Sequence, residues 1–414
     1  MNTTDVEALP AHPSLEQYKK QAKDLVKACK ADDSEAIHRI RKYHPRHQKP
    51  RNAVEAARVR SGQLLDFEVE SAKFTLADAQ LVIAREHGFE SWPKFAKHLQ
   101  GLTRKDSGDV QFESAADAIV SGDIATLARL LRENPTLIRA RSTRAHRATL
   151  LHYVSANGFE NYRQKSPKNA VEVAKLLLDS GAEVDAIADM YGKDATLGLI
   201  ATSVHPAQAG VQIPLLDLLL ERGAAIDGPP GTGSPLNAAL FNGQPKAAEF
   251  LAARGAQIDM VGAAGLGRLD RVKNFFNQDG SLRAHARREG LNSGFVLACT
   301  YGRTAVVEFL LDRGADLRAR ENVGQTGLHS AVINGDLNLI KLLLKRGAPL
   351  EARNVWRGTV LGQATWCARH SDRNIDYAPV IQTLLVAGAN VSQADYPTGI
   401  EQVDAMLRQH GVKS

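Results

Sequence analysis

Cysteine is scarce in this chain of 414 residues: Cys29, Cys299 and Cys367 are odd in number, far apart and without C-x-x-C spacing. That pattern excludes a disulfide framework and a cysteine zinc site, and it leads us to expect a reducing compartment, the cytoplasm. Aromatic residues make up 6%, little for an all-β domain built on Tyr and Trp. No apolar run approaches the roughly 18 residues a membrane helix needs. The opening MNTTDVEALPAHPSLEQ carries no apolar core of the secretory type. Catalytic signatures are missing too: there is no G-x-S-x-G, no phosphate loop with its Lys, no H-E-x-x-H and no G-x-G-x-x-G after a strand. GPPGTGSP (228–235) is glycine-rich without that Lys and reads as a tight turn. His44 and His47 lack a third nearby ligand. No cofactor and no metal is expected.

What is present is an ordinary folded composition, 43% hydrophobic and 24% charged, which excludes a wholly disordered chain. The net charge of +6 is uneven: residues 1–105 hold 19 Lys and Arg against 14 Asp and Glu. Within 38–60, eight basic residues face one acid, Glu55. The stretch reads as a solvated linker. Nucleic acid is not the favoured partner, because only Tyr43 interleaves as a stacking residue. Residues 14–31 form an amphipathic helix opened by Ser14 and Gln17, and Ser34–Tyr43 a second that stops before Pro45. Thr75 and Asp78 box a third, and Ser91 caps a fourth with Pro93 in its first turn. We expect residues 1–108 to be a basic helical bundle with a mobile connector near 45–70.

Beyond residue 108 the chain repeats itself. An apolar run closes on Gly-Ala or Gly with regular recurrence: KLLLDSGAEVDA (175–186), DLLLERGAAIDG (217–228), EFLAARGAQIDM (249–260), EFLLDRGADLRA (308–319), KLLLKRGAPLEA (341–352) and TLLVAGANVSQ (383–393). The glycines 181, 223, 255, 314, 347 and 388 are expected to end helices in the left-handed conformation. Ahead of each lies another helix, opened near Thr149, Ala195, Ser234, Ser293, Thr326 or Thr359, with Thr or Ser as cap. The pattern resembles the ankyrin repeat, best in GQTGLHSAVINGDLNLIKLLLKRGAPLEA (324–352). The resemblance covers about 113–411 and is weaker for 113–138, 260–280 and 397–411.

The resemblance implies an all-α solenoid: about eight stacked helix–turn–helix units over 109–414, β-hairpin fingers on one side, and a C-terminal half-unit. It gives His152 and His329 a structural role at the helix openings. Three units carry extra residues between their two helices, near Gly158–Asn169, Val204–Gln212 and Ala368–Pro379. These long turns hold Phe159, Tyr162, Arg163, His205, His370, Asp372 and Tyr377. Carrying the concave positions across gives Tyr153, Asn157, Phe241, Asn242, Tyr301, Asn334, Gln363 and Trp366, with an aromatic strip of Tyr153, Phe241, Tyr301 and Trp366. Finger tips add Tyr191, Asn322, Trp356 and Arg357. Exposed aromatics beside amides compose a recognition surface. The function expected is a monomeric, non-catalytic module that binds a protein partner through the concave groove and the finger tips. The alternative is a small-molecule binder or enzyme, with His205, His370 and Asp372 as acid–base groups beside the aromatic strip.

Overall fold

The computed structural model describes residues 6–10, 13–46, 73–103, 107–284, 286–321, 323–371 and 375–412. Most of the expected connector, together with His47, Asn322 and Asp372, lies outside them. The N-terminal helices form where their caps and apolar stripes place them. Ser14 accepts the Gln17 amide at the head of Leu15–Lys30, and Asp33 caps Ser34–Tyr43. Thr75 and Asp78 exchange bonds across the first turn of Leu76–Glu86. Trp92–Leu102 starts after Ser91, but the serine side chain makes no capping bond; Pro93 removes one of the amides that would need it. The stripes meet in a core of Tyr18, Leu25, Ile40, Ile83, Phe89 and Phe95.

Packing divides the described residues at Gln257/Ile258, inside the repeat array and not near 108. In the first unit the bundle is fastened to the opening repeats. The Ala145 amide donates to the Gly88 carbonyl (3.1 Å), Ser107 Oγ donates to the Gly101 carbonyl (2.7 Å), and Thr143 Oγ1 pairs with His98 Nδ1 (2.8 Å). Helix pairs follow: Gly108–Ser121 with Ile124–Glu133, Thr196–Thr202 with Gln212–Glu221, and Pro235–Phe241 with Pro245–Ala253. The second unit contains Met260–Gly265 with Leu269–Lys273, Arg288–Thr300 with Thr304–Asp312, Gly327–Ile333 with Leu337–Lys345, and Val360–His370 with Ala378–Val386. Glu401–Gln409 ends the array. The weak stretch 260–280 is thus a true, shortened pair. Its core joins Phe295, Leu310, Leu328, Leu343, Leu361 and Leu384. Apolar stripes of this kind are buried only by stacking on neighbours.

The helix openings obey the capping expectation in part. Thr149 and Thr326 share reciprocal bonds with His152 and His329, and Ser234 and Thr359 accept amides at the third helical position. Burial keeps both imidazoles neutral, with pKa values of about 3 for His152 and about 4 for His329. Ser293 caps nothing, because its helix begins earlier at Arg288. The fingers are mostly turns. Among the described residues, paired strands occur only at Ile187–Ala188 with Asp194–Ala195, and single bridges join Phe276 to Leu282 and Arg320 to Thr326.

Tyr153 is the main departure. It sits in a 3-10 segment, Leu150–Ser155, and is fully buried, so it is no groove residue. The ring packs on Phe159 at a centroid distance of 4.5 Å. The long turn that follows is likewise turned inward, with Phe159 and Arg163 buried. Its purpose is a charge cluster. Arg163 reaches Glu113 (2.8 Å) and Asp117 (2.7 Å), Arg144 pairs with Glu113 and with Glu160 (3.0 Å), and His146 Nε2 donates to Glu160 (2.9 Å). Burial opposes the charged form of Glu113, yet Arg144 and Arg163 outweigh it and hold the pKa at about 2. Glu160 is also held low: burial opposes its charge, and Arg144 and His146 overcome that cost.

Two outcomes follow from this packing. Gly347 has φ of +84° and open space around it, so Gly347→Ala should cost only the left-handed strain, about 1–2 kcal/mol, read as a lower urea midpoint. An unchanged midpoint would remove the conformational argument. Arg163→Ala takes from Glu113 one of its two arginines, leaving Arg144, and should cost on the order of 3 kcal/mol. Because the Glu113 and Glu160 carboxyls both have folded pKa values below the unfolded value of about 4.3, their contribution is complete above that pH. It disappears as pH falls from about 4.5 toward 2. Urea melts across that range should show the loss in the parent, and a parent whose stability is flat there would refute it.

Candidate recognition cleft

In the second unit, the finger Asn354–Gly358 bends over the following helix, Val360–His370. Asn354 sets the bend: its Oδ1 accepts the amides of Trp356 (3.1 Å) and Gly358 (2.9 Å), and its own amide donates to the Gly358 carbonyl (3.0 Å). Arg357 takes a left-handed φ of +66° at the tip. His329 Nε2 contacts the Gly358 carbonyl (3.3 Å), which ties the finger to the preceding repeat.

The helix beneath is long because nothing stops it early. Gly335 closes the corresponding helix of the preceding repeat nine residues after Thr326, while nine residues after Thr359 stands Ala368. The helix therefore runs to His370 and adds a turn. That turn brings His370 under Trp366, with the rings stacked at 5.0 Å and His370 Nδ1 donating to the Trp366 carbonyl (3.0 Å). The third wall is the segment 393–395. It can approach because Gly362 has no side chain: a Cβ there would lie 2.7 Å from the Gln393 carbonyl oxygen. Tyr377, buried, donates its hydroxyl to the Ile333 carbonyl (2.7 Å) and closes the floor.

The result is a cleft of about 810 Å³ lined by Trp356, Trp366, Tyr377, His370, Gln363, Gln393 and Asp395, among others. Trp356 is 68% exposed and Trp366 50%. Gln363 accepts from Asn354 Nδ2 (3.3 Å), and Gln393 accepts from Arg353 (2.6 Å). The walls are thus aromatic faces interrupted by oriented amides. No group of His, Cys, Asp and Glu suited to a metal ion occurs among the described residues.

The cleft contains six of the residues singled out from the sequence: Trp356, Arg357, Gln363, Trp366, His370 and Tyr377. The others lie elsewhere. In the second unit, Tyr301 is half-buried, and burial lifts its hydroxyl to about 12; Asn334 spends its amide on the Thr300 carbonyl (2.7 Å), bridging adjacent repeats. In the first unit, Tyr191 is exposed at a finger tip and donates to Asn157 Oδ1 (2.9 Å). Asn157 in turn donates to Leu199 O and Thr202 Oγ1. Tyr162 stacks under Arg163, His205 is half-buried on the short helix Val204–Gln208, and Phe241 and Asn242 are exposed at the end of their helix. The aromatic strip does not form as envisaged, since Tyr153 is internal. Asn354, Gln393 and Asp395 escaped sequence reasoning. The only signal for the last two was Gly362, a small residue inside a helix where another backbone passes.

A family model described as ankyrin repeats (3 copies) matches residues 260–354. A solved structure, the human ASB11 ankyrin repeat domain, is similar at 23% identity over 68% of this chain and 98% of that one, with a TM-score of 0.33. The curated proteins contain no significant match. The family match stops at Asn354, the residue that bends the finger beneath Trp356. With the matched repeats, the Thr–His openings and the glycine-closed helix pairs in place, the chain carries ankyrin repeats over residues 260–354, and its cleft lies on the last of these repeats and just beyond them.

Proposed function

We propose that the chain is a non-catalytic recognition module that binds a protein segment in the cleft between the Trp356 finger and the Val360–His370 helix. Ankyrin repeats are generally protein–protein interaction modules. The observation that carries the reading is the pair Trp356 and Trp366, two large apolar faces left in solvent at one cleft. Tryptophans in such settings supply a disproportionate share of binding energy, and exposed apolar patches mark interaction sites. The acid–base alternative finds no support. His205 and His370 belong to different units, and Asp372 is outside the described residues.

Replacing Trp366 separates recognition from packing. A buried Trp changed to Ala costs about 3–5 kcal/mol of stability. Trp366→Ala should cost clearly less, because half of the residue is already exposed. It should weaken partner capture by on the order of 2 kcal/mol or more. The measurement is a denaturant melt alongside quantitative pull-down with parent, Trp366→Ala, Trp356→Ala and, as a control outside the cleft, Phe241→Ala. Proteins retained by the control and lost from both tryptophan variants support the reading. An unchanged capture profile with a large loss of stability would place Trp366 in the core and remove the cleft from consideration.

A further inference from the structure

The fingers beside the cleft are basic in a way that the structure does not neutralise. Arg320, Arg353 and Arg357 are exposed. None of them makes an ion pair among the described residues, whereas on the second helices Arg346 pairs with Asp312 at 2.8 Å. Their structural bonds go to neutral oxygens. Arg320 donates to the Gly324 carbonyl (2.9 Å) and to the Arg353 carbonyl, and Arg353 donates to the Arg357 carbonyl (2.8 Å) and to Gln393 Oε1 (2.6 Å). Such bonds orient a guanidinium but leave its charge uncompensated. Arg357 in the lining, and Arg353 bonded to the lining residue Gln393, therefore hold positive potential at a cleft whose interior is aromatic and amide-lined.

We infer that the occupant is an acidic protein segment: a bulky apolar side chain lies against Trp356 and Trp366 while flanking Asp or Glu residues face Arg353 and Arg357. This rests on the cleft being the protein-binding site proposed above. Arginine presents a planar fork to carboxylates, so the rim selects charge while the indoles select bulk. Asp395 in the cleft wall weighs against a phosphate polymer, since it would face the backbone charges, whereas it can accept a peptide N–H. The oriented amides of Gln363 and Gln393 likewise match a peptide main chain.

The test is selection of a random 12-residue peptide library displayed on phage against the full chain and, separately, against a Trp356→Ala/Trp366→Ala variant. Peptides selected by the parent only should be enriched in Asp and Glu around an aromatic residue or Leu. The tightest of them, synthesised with a fluorophore, should lose at least tenfold in affinity against Arg357→Glu, and should weaken similarly between 50 and 300 mM salt. The Arg357 side chain makes no bond among the described residues, so Arg357→Gln, which removes only the charge, is the variant kept for fold integrity; it should melt like the parent and lose part of the affinity. Tryptophan-dependent peptides without acidic enrichment would overturn the charge inference and leave the cleft reading standing. Peptides selected equally by parent and tryptophan variant, or none at all, would overturn both. A fluorescent single-stranded oligothymidylate of 20 nucleotides that binds more tightly than any selected peptide, and is released by Arg357→Glu, would make the occupant a nucleic acid and refute the proposal.

Discussion

Everything in the array depends on how each second helix is made to stop. At Gly181, Gly223, Gly255, Gly314, Gly347 and Gly388 the backbone turns left-handed, and each glycine amide bonds the carbonyl three residues back. The alanine that follows donates to the carbonyl five residues back, as in Ala348 to Leu343 and Ala389 to Leu384. This is the two-bond closure of a Schellman motif, and it satisfies carbonyls that a helix end otherwise leaves bare. It also fixes the direction in which the chain leaves. Because every exit is the same, successive pairs within each unit arrive with their apolar stripes facing, and stacking covers what one pair cannot bury.

The same device controls the turn between the two helices of a repeat, and its absence produces the irregular features. Gly243, Gly302 and Gly335 lie nine residues after Ser234, Ser293 and Thr326, and all are left-handed. At the equivalent place after Ala195 and Thr359 stand Val204 and Ala368, which resist that conformation. After Ala195 the chain inserts the short helix Val204–Gln208; after Thr359 it prolongs the helix to His370. Gly158 keeps the spacing from Thr149, but the helix before it is a 3-10 segment, and Ala156 already has a φ of +49°. The extra residues there fold inward on Arg163 and Glu160. Long turns thus have two fates, filling the interior in one repeat and building a cleft wall in another.

Much of this was legible in the sequence, because caps and left-handed glycines are local. The helices of the N-terminal bundle, the repeat period and the Thr–His pairing each depend on residues within four positions of one another. What was not legible depended on the angle at which a side chain leaves its helix. Tyr153 lies four residues after Thr149, a position equally buried at Leu199, Leu297 and Ser330. Phe241 and Trp366 lie seven after Ser234 and Thr359, and both are exposed. The seventh position thus opens to solvent in these two repeats, whereas the fourth is buried in four of the six and faces the cleft only at Gln363. Gln393 and Asp395 were invisible for another reason: they reach the cleft from 23 and 25 residues beyond the end of the helix they face, through a backbone approach that Gly362 permits.

The finger arginines join the two levels. Arg320 and Arg353 each precede a helix opening, at Thr326 and Thr359, by six residues, so their placement follows the repeat. Arg320 and Arg353 brace one finger against the next stretch of chain through carbonyl and amide oxygens. A carboxylate partner would have braced the fingers as well and cancelled the charge. By using neutral acceptors, the array gains rigid fingers and retains their positive potential, and an electrostatic surface of this kind acts on encounter and selectivity more than on raw affinity. The bulk of the binding energy then falls to the two indoles, which the extended helix and the Asn354 turn hold at the same cleft.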